Sequence, residues 1–321
     1  MRLIAAAALV GLLLTTFGCR REPGPTAAES ARPAGTARKP VVYTTFYPTT
    51  YFTQRIAGGL CEVVNPCPPD ADPMFWMPPD NVLAEYQKAD LIVLNGASYE
   101  KWVPKVTLPV TRVVDTTRAL ADELIVFKSA FTHSHGPGGK HTHKGTDGHT
   151  WLDPLTALEQ ARAIEAALSK RFPQHKEQFA AGLQALADDL HALDAHFQEV
   201  SKLLDGQVLL TSHPAYNYIA RRYGWQVHNY ALDPEHLPDE QTLAKIADDA
   251  RQSHARLMLW ESAPAGEIVE KLAAMGLTCV VFSPCETEPG QPEGDYLKVM
   301  HANLKRLAAA LEHVKATSQP S

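Results

Sequence analysis

Two histidines occupy positions where an α/β protein presents ligands. His149 lies in Asp147-Gly148-His149-Thr150-Trp151-Leu152-Asp153-Pro154, at the end of a loop and just before a helix. His213 lies in Thr211-Ser212-His213-Pro214, directly after a strand in the second half of the chain. One imidazole nitrogen can hold zinc while an acceptor orients the other. A lone histidine is usually structural; two in equivalent strand-end loops of two lobes point to one shared ion. The chain has 14 histidines. Four of them, His133, His135, His141 and His143, form two His-x-His pairs in a Gly-rich loop spanning 132–146. Flexible histidines bind metal weakly and release it quickly, which suits capture. The plain alternative is a solvated insert.

The elements that must position these groups alternate. Val41–Phe46, Glu62–Pro66 and Leu91–Leu94 read as strands, with helices over Thr50–Ile56 and Asn81–Lys88 between them. Such alternation implies a parallel sheet, whose sites form in loops beyond the carboxyl ends of the strands. The proline-rich stretch Pro66–Pro79 is one such loop. Leu155–Lys170 reads as a helix. A longer one follows, with Phe179, Leu183, Leu186, Leu190, Leu193, Phe197, Val200 and Leu204 at alternating steps of four and three, an apolar stripe on one face. Roughly 30 helical residues span about 45 Å, enough to brace two lobes. After Gly206 the alternation resumes, with strands at Val208–Thr211, Val227–Tyr230, Leu257–Trp260 and Cys279–Phe282 and a closing helix over Tyr296–His313. The expected fold class is α/β: two parallel-sheet lobes bridged by one long rigid helix. The expected divisions are 41–172 for the first lobe, 173–205 for the bridge and 206–315 for the second lobe.

The compartment is written in the first forty residues. Arg2 precedes an apolar run, Leu3–Phe17, which rises only about 22 Å as a helix, short of a ~30 Å hydrocarbon core. That is a signal peptide, residues 1–18, rather than a lasting span. Gly18-Cys19 after such a run resembles a bacterial lipoprotein signal, which would make Cys19 the lipidated N-terminus. Residues 19–40 then form the lipid anchor and a Pro-rich tether. An anchored protein of the periplasm or cell surface is expected. The chain of 321 residues carries a formal charge of −6, with 45% hydrophobic and 21% charged residues. No basic surface suggests nucleic acid.

Several segments, in one order, are similar to those of the zinc- and manganese-binding solute-binding proteins of bacterial metal ABC importers. They are Val42-Tyr43-Thr44-Thr45-Phe46-Tyr47-Pro48, Pro69-Asp70-Ala71-Asp72-Pro73, Ala89-Asp90-Leu91-Ile92-Val93-Leu94-Asn95-Gly96, His149–Pro154, Thr211–Tyr216 and Asp295–Leu304. The resemblance implies two lobes bridged by a rigid helix, acting as a monomer. It implies zinc as cargo, no organic cofactor, and delivery to an ABC permease driven by an ATPase. It also implies three histidines and a carboxylate or water as ligands, with His149 and His213 as two of the histidines. The other two positions depart: Met74 follows Asp72-Pro73, and Ser283 precedes Pro284. Replacement ligands nearby are Met74 itself, Cys67, Cys285 and Glu286. Glu261, Ser283 and Asp153 are expected behind the ligands. Thioether suits Cu(I) better than zinc, so copper, or another solute, is the alternative cargo. Met74 as simple packing is the third possibility.

The cysteines leave more than one reading. Cys61 and Cys67, like Cys279 and Cys285, flank a strand; six extended steps cover about 20 Å, too far for a local disulfide. Cys67 and Cys285 fall at strand carboxyl ends in different lobes. They can form a clamp across the cleft, supply thiolates, or lie buried and unpaired. The sequence contains neither His-Glu-x-x-His nor Gly-x-Ser-x-Gly, so an enzyme such as a zinc hydrolase is not expected.

Overall fold

The first sheet is built from short runs rich in β-branched residues. In the computed structural model these are β1 (Val41–Thr44), β2 (Glu62–Val64), β3 (Leu91–Leu94) and β4 (Val113–Asp115), all parallel in the order β2-β1-β3-β4. The structure describes residues 38–127, 145–290 and 294–318, with the backbone alone of 131–134 and 140–143. Leu91-Ile92-Val93-Leu94 is buried at every position, as a strand covered on both faces must be. Helices α1 (Tyr47–Ala57), α2 (Asp80–Lys88) and α3 (Pro154–Arg171) accompany this sheet. α1 begins earlier than the sequence suggests, because Pro48 sits in its first turn, where a missing N–H costs nothing. A two-stranded antiparallel ribbon, β5 (Phe131–Ser134) with β6 (Lys140–His143), replaces part of the expected loop and sets His133 opposite His141 in the backbone register. The side chains of the four loop histidines, Cys19, the signal segment and most of the tether lie outside the described residues.

α4 (Lys176–Leu204) is the 29-residue helix foreseen from the stripe. Phe179, Leu186, Leu190, Leu193, Phe197, Val200 and Leu204 are all buried along it. At Gly182 the helix meets the end of α1 so closely that a Cβ would stand 2.5 Å from the Ile56 carbonyl oxygen. Arg55 of α1 reaches Asp189 of α4 at 2.5 Å. Beyond α4 comes a second parallel sheet: β7 (Val208–Thr211), β8 (Gln226–Asn229), β9 (Leu257–Trp260) and β10 (Thr278–Val281), ordered β10-β9-β7-β8. Its helices are α5 (Asn217–Tyr223), α6 (Glu240–Ser253), α7 (Gly266–Ala273) and α8 (Tyr296–Ser318). One apolar cluster runs from Val42 and Phe52 of the first lobe through Leu190 and Phe197 of α4 to Leu209, Phe282 and Tyr296 of the second. A continuous core of this kind leaves no weakly packed seam for a hinge. Among the described residues no helix is long and apolar enough to cross a membrane.

Candidate metal centre

Strand order changes direction between β1 and β3 in one sheet and between β7 and β9 in the other. Those switch points open crevices at the carboxyl ends of the strands. His213 comes two residues after β7, and its backbone neighbour Ser212 donates its N–H to the Leu259 carbonyl at 2.8 Å. His149 is carried by a turn that the end of β3 holds. Asn95 donates through Nδ2 to the Gly148 carbonyl at 2.9 Å, and its Oδ1 accepts from Gln160 Nε2 at 2.8 Å and Thr150 Oγ1 at 3.2 Å. Gly148 admits no side chain: a Cβ would lie 2.8 Å from Cδ2 of Tyr99. Both histidines are buried, at 2% and 3% exposure.

Their rings face each other edge to face, with centroids 5.4 Å apart at 75°. Two imidazoles bound to one tetrahedral zinc, with Zn–N near 2.0–2.1 Å, have centroids about 5 Å apart and donor atoms about 3.3 Å apart. The pair therefore suits a single ion. His149 Nε2 is also 3.4 Å from Oε1 of Glu286, the spacing of two donors on such an ion. The three donors are not yet all within 4.8 Å of one another. Among the described residues only Asp233, Glu235 and His236, on the surface, meet that limit.

Asp147 is the residue that sequence reasoning missed. Its Oδ1 is 2.7 Å from His149 Nδ1 and accepts the His149 backbone N–H at 3.0 Å. With Nδ1 committed to Asp147, Nε2 is the nitrogen that faces Glu286. Burial alone would lower the His149 pKa, but Asp147 and then Glu286 outweigh it and push it up to about 10. Without metal the ring is therefore an imidazolium between two carboxylates. Asp147 also ties the lobes: its Oδ2 accepts from Asn217 Nδ2 at 2.8 Å and its carbonyl from the Tyr218 hydroxyl at 2.9 Å. Its signal was its place two residues before His149, where a carboxylate can close a local turn.

The remaining expected residues divide. Glu286 and Cys285 follow β10 on a segment pinned to the first lobe. Trp151 Nε1 donates to the Pro284 carbonyl at 2.8 Å, and the Tyr47 N–H donates to the Glu286 carbonyl at 3.2 Å. Cys285 itself takes φ 59°, a left-handed backbone that costs a non-glycine residue on the order of 1 kcal/mol or more. Ser283 accepts the Cys285 N–H at 3.2 Å and is braced by Asn303, so it shapes the turn that carries Glu286. Asp153 caps α3, accepting from the Leu155 and Thr156 N–H groups, and pairs with Arg222 of α5. It holds a helix and the lobe contact. Glu261 lies on the wall of an interlobe cleft of about 500 Å³ that Asp70, Asp72, Glu235, Cys285 and Glu286 also line. Met74 is 4% exposed and belongs to the apolar cluster that runs through both lobes. Cys67 borders an adjoining cavity of about 240 Å³ with Glu286. Burial, then Asp72 and Asp70, push its thiol up to about 12. No disulfide joins Cys61, Cys67, Cys279 and Cys285.

A family model described as "Zinc-uptake complex component A periplasmic" matches residues 42–310. The chain belongs to this ZnuA family. The zinc-binding lipoprotein AdcA of Streptococcus pneumoniae is 30% identical over an alignment of 289 residues that covers 87% of this chain and 57% of AdcA. The chain thus matches little more than half the length of that relative. The high-affinity zinc uptake system protein ZnuA of Bacillus subtilis is 27% identical over 84% of this chain and 87% of that protein. Among solved structures, the metal-dependent lipoprotein YcdH of Bacillus subtilis superposes with a TM-score of 0.73 at 25% identity, covering 84% of this chain and 98% of its own. Zn(II)-bound AdcA gives 0.72 at 25% identity, covering 86% of this chain and 58% of AdcA. The ZnuA-family fold is thus the one foreseen, two parallel-sheet α/β lobes with a long helix between them.

Proposed function

We propose that the chain is the extracytoplasmic receptor of a zinc importer, taking Zn(II) between its lobes and handing it to an ABC permease driven by an ATPase. The single observation that carries this is the meeting of His149 Nε2 with Glu286 Oε1 at 3.4 Å, beside a His213 ring whose centroid is 5.4 Å from that of His149. Names of relatives from zinc uptake systems support it. Two imidazoles and a carboxylate fill three corners of a tetrahedron, and a water or a neighbouring side chain fills the fourth. Asp147 and Glu286 together balance the charge of a dication, which makes its burial tolerable. Lipid on Cys19 holds the monomer at the membrane. The role is binding and release, without catalysis.

The softer-metal alternative is not favoured. Glu286 offers a hard oxygen, Met74 packs in the apolar cluster shared by the two lobes, and the Cys67 thiol resists ionisation; Cu(I) prefers thiolate and thioether. The test is a competition titration of the purified chain with Zn(II) and Cu(I), with His149→Ala, His213→Ala and Glu286→Ala alongside. Tight Zn(II) binding, weakened at least tenfold by each change, is expected. Tight Cu(I) binding with negligible Zn(II) binding would overturn the reading.

A further inference from the structure

Besides their apolar packing, α4 and α8 share a polar contact: His196 Nδ1 and His301 Nδ1 lie 2.8 Å apart. The two ring centroids are 5.1 Å apart and the ring planes differ by 24°. The centroid separation exceeds the nitrogen separation by about one ring diameter, so both nitrogens lie on the line between the ring centres. This is an in-line N–H···N hydrogen bond rather than a face-to-face stack. Such a bond needs unlike partners: one ring protonated at Nδ1, the other bare there with its proton on Nε2. When both rings are imidazolium, two N–H donors point at each other with no acceptor between them. The charged groups acting on the pair are Lys305 of α8 and Asp189 of α4, whose carboxylate Arg55 of α1 holds at 2.5 Å. Burial and then Lys305 lower the His196 pKa; burial, then His196, then Lys305 lower that of His301, against Asp189. The contribution of the pair to stability is thus complete above the ordinary value of 6.5 and is lost as pH falls below it, opposite in sign to that of His149.

His301 stands on α8 between two residues that hold the zinc centre. The Tyr296 hydroxyl donates to the Trp151 carbonyl at 2.6 Å, two residues after His149. Asn303 Nδ2 donates to the Ser283 carbonyl at 2.7 Å, and its Oδ1 accepts the Ser283 N–H at 3.0 Å, three residues before Glu286. One helix therefore grips the turns that carry both His149 and Glu286, and a rigid helix carries a displacement from one residue to the others. We infer that His196 and His301 form a proton-sharing latch: their hydrogen bond seats α8 on α4 and keeps the two turns in register, and acid that protonates both rings releases it. Zinc is then given up in acid for a second reason, beyond protonation of the ligands themselves. The link to zinc rests on the reading above; the latch does not.

A double-mutant cycle on the metal-free chain tests the latch. Chemical denaturation of the parent, His196→Ala, His301→Ala and the double variant should show strong non-additivity at pH 7.5, the double losing little more than either single. At about pH 5 the non-additivity should vanish. Nitrogen-15 imidazole spectra of the parent at pH 7.5 should show one of these rings protonated at Nδ1 and the other at Nε2. For the zinc centre, His196→Asn with His301→Asn puts short amides that cannot titrate in place of the rings. Between pH 7.5 and about pH 5 the Zn(II) affinity of the parent should fall at least about fivefold more than that of this pair, since ligand protonation is common to both. Additive losses at pH 7.5, an interaction that persists at about pH 5, two Nε2-protonated rings, or parallel affinity profiles would each overturn the inference. A parent that binds no Zn(II) would sink the receptor reading, and the metal-free cycle would still decide the latch.

Discussion

At the scale of the residue, the centre is a proton-occupied site that a dication must win. His149 is raised to about 10 from an ordinary 6.5, against the pull of burial, by Asp147 and Glu286. Zinc binds the neutral ring, so loading near neutral pH expels a proton from His149. Calorimetric titration at pH 7.5 in buffers of differing ionisation enthalpy should report release of at least one proton per ion, and affinity should weaken with each step down in pH. The metal-free fold has the opposite dependence. Its stabilisation by the His149 imidazolium is complete below about 6.5 and is lost as pH rises through about 10. Asp147→Asn keeps the shape and one acceptor but removes the charge, and should lower zinc affinity about 10- to 100-fold; a chelator competition checks it. The two histidines were legible in the sequence because a ligand motif is local. Glu286 was one of several candidates, since nothing in Ser283-Pro284-Cys285-Glu286 says which side chain the left-handed turn at Cys285 sends inward.

At the scale of the element, the long helix α4 is the part most plainly written in the residues. Its four-and-three stripe became a buried face nearly residue for residue. The missed pieces were short: β4 has three residues and borrows its stability from pairing with β3, and the β5–β6 ribbon hides in a segment whose composition reads as loop. Gly182 was also invisible as a requirement, since a glycine within a helix normally only weakens it. Against the Ile56 carbonyl it is what lets α4 touch α1. Gly182→Ala should therefore destabilise the chain, by about 1–3 kcal/mol, despite its better helix propensity; chemical denaturation measures it. Zinc affinity, which depends on groups at the other end of α1, should change little.

At the scale of the whole molecule, the two sheets turn the carboxyl ends of their strands toward a common cleft, and a shared apolar core joins them through α4. Filling such a site stabilises the fold by mass action, so zinc in excess should raise the melting temperature in step with the logarithm of its concentration. The walls of that cleft carry Asp70, Asp72, Glu235 and Glu261 together with Glu286, which reaches the buried His149 ring. Their field reaches outward before any contact is made. A dication diffusing past is drawn to the mouth, whereas one already seated is too deep to feel much change. Dissolved electrolyte should thus slow arrival without hastening departure: stopped-flow traces at rising ionic strength should give a falling association rate beside a nearly constant dissociation rate.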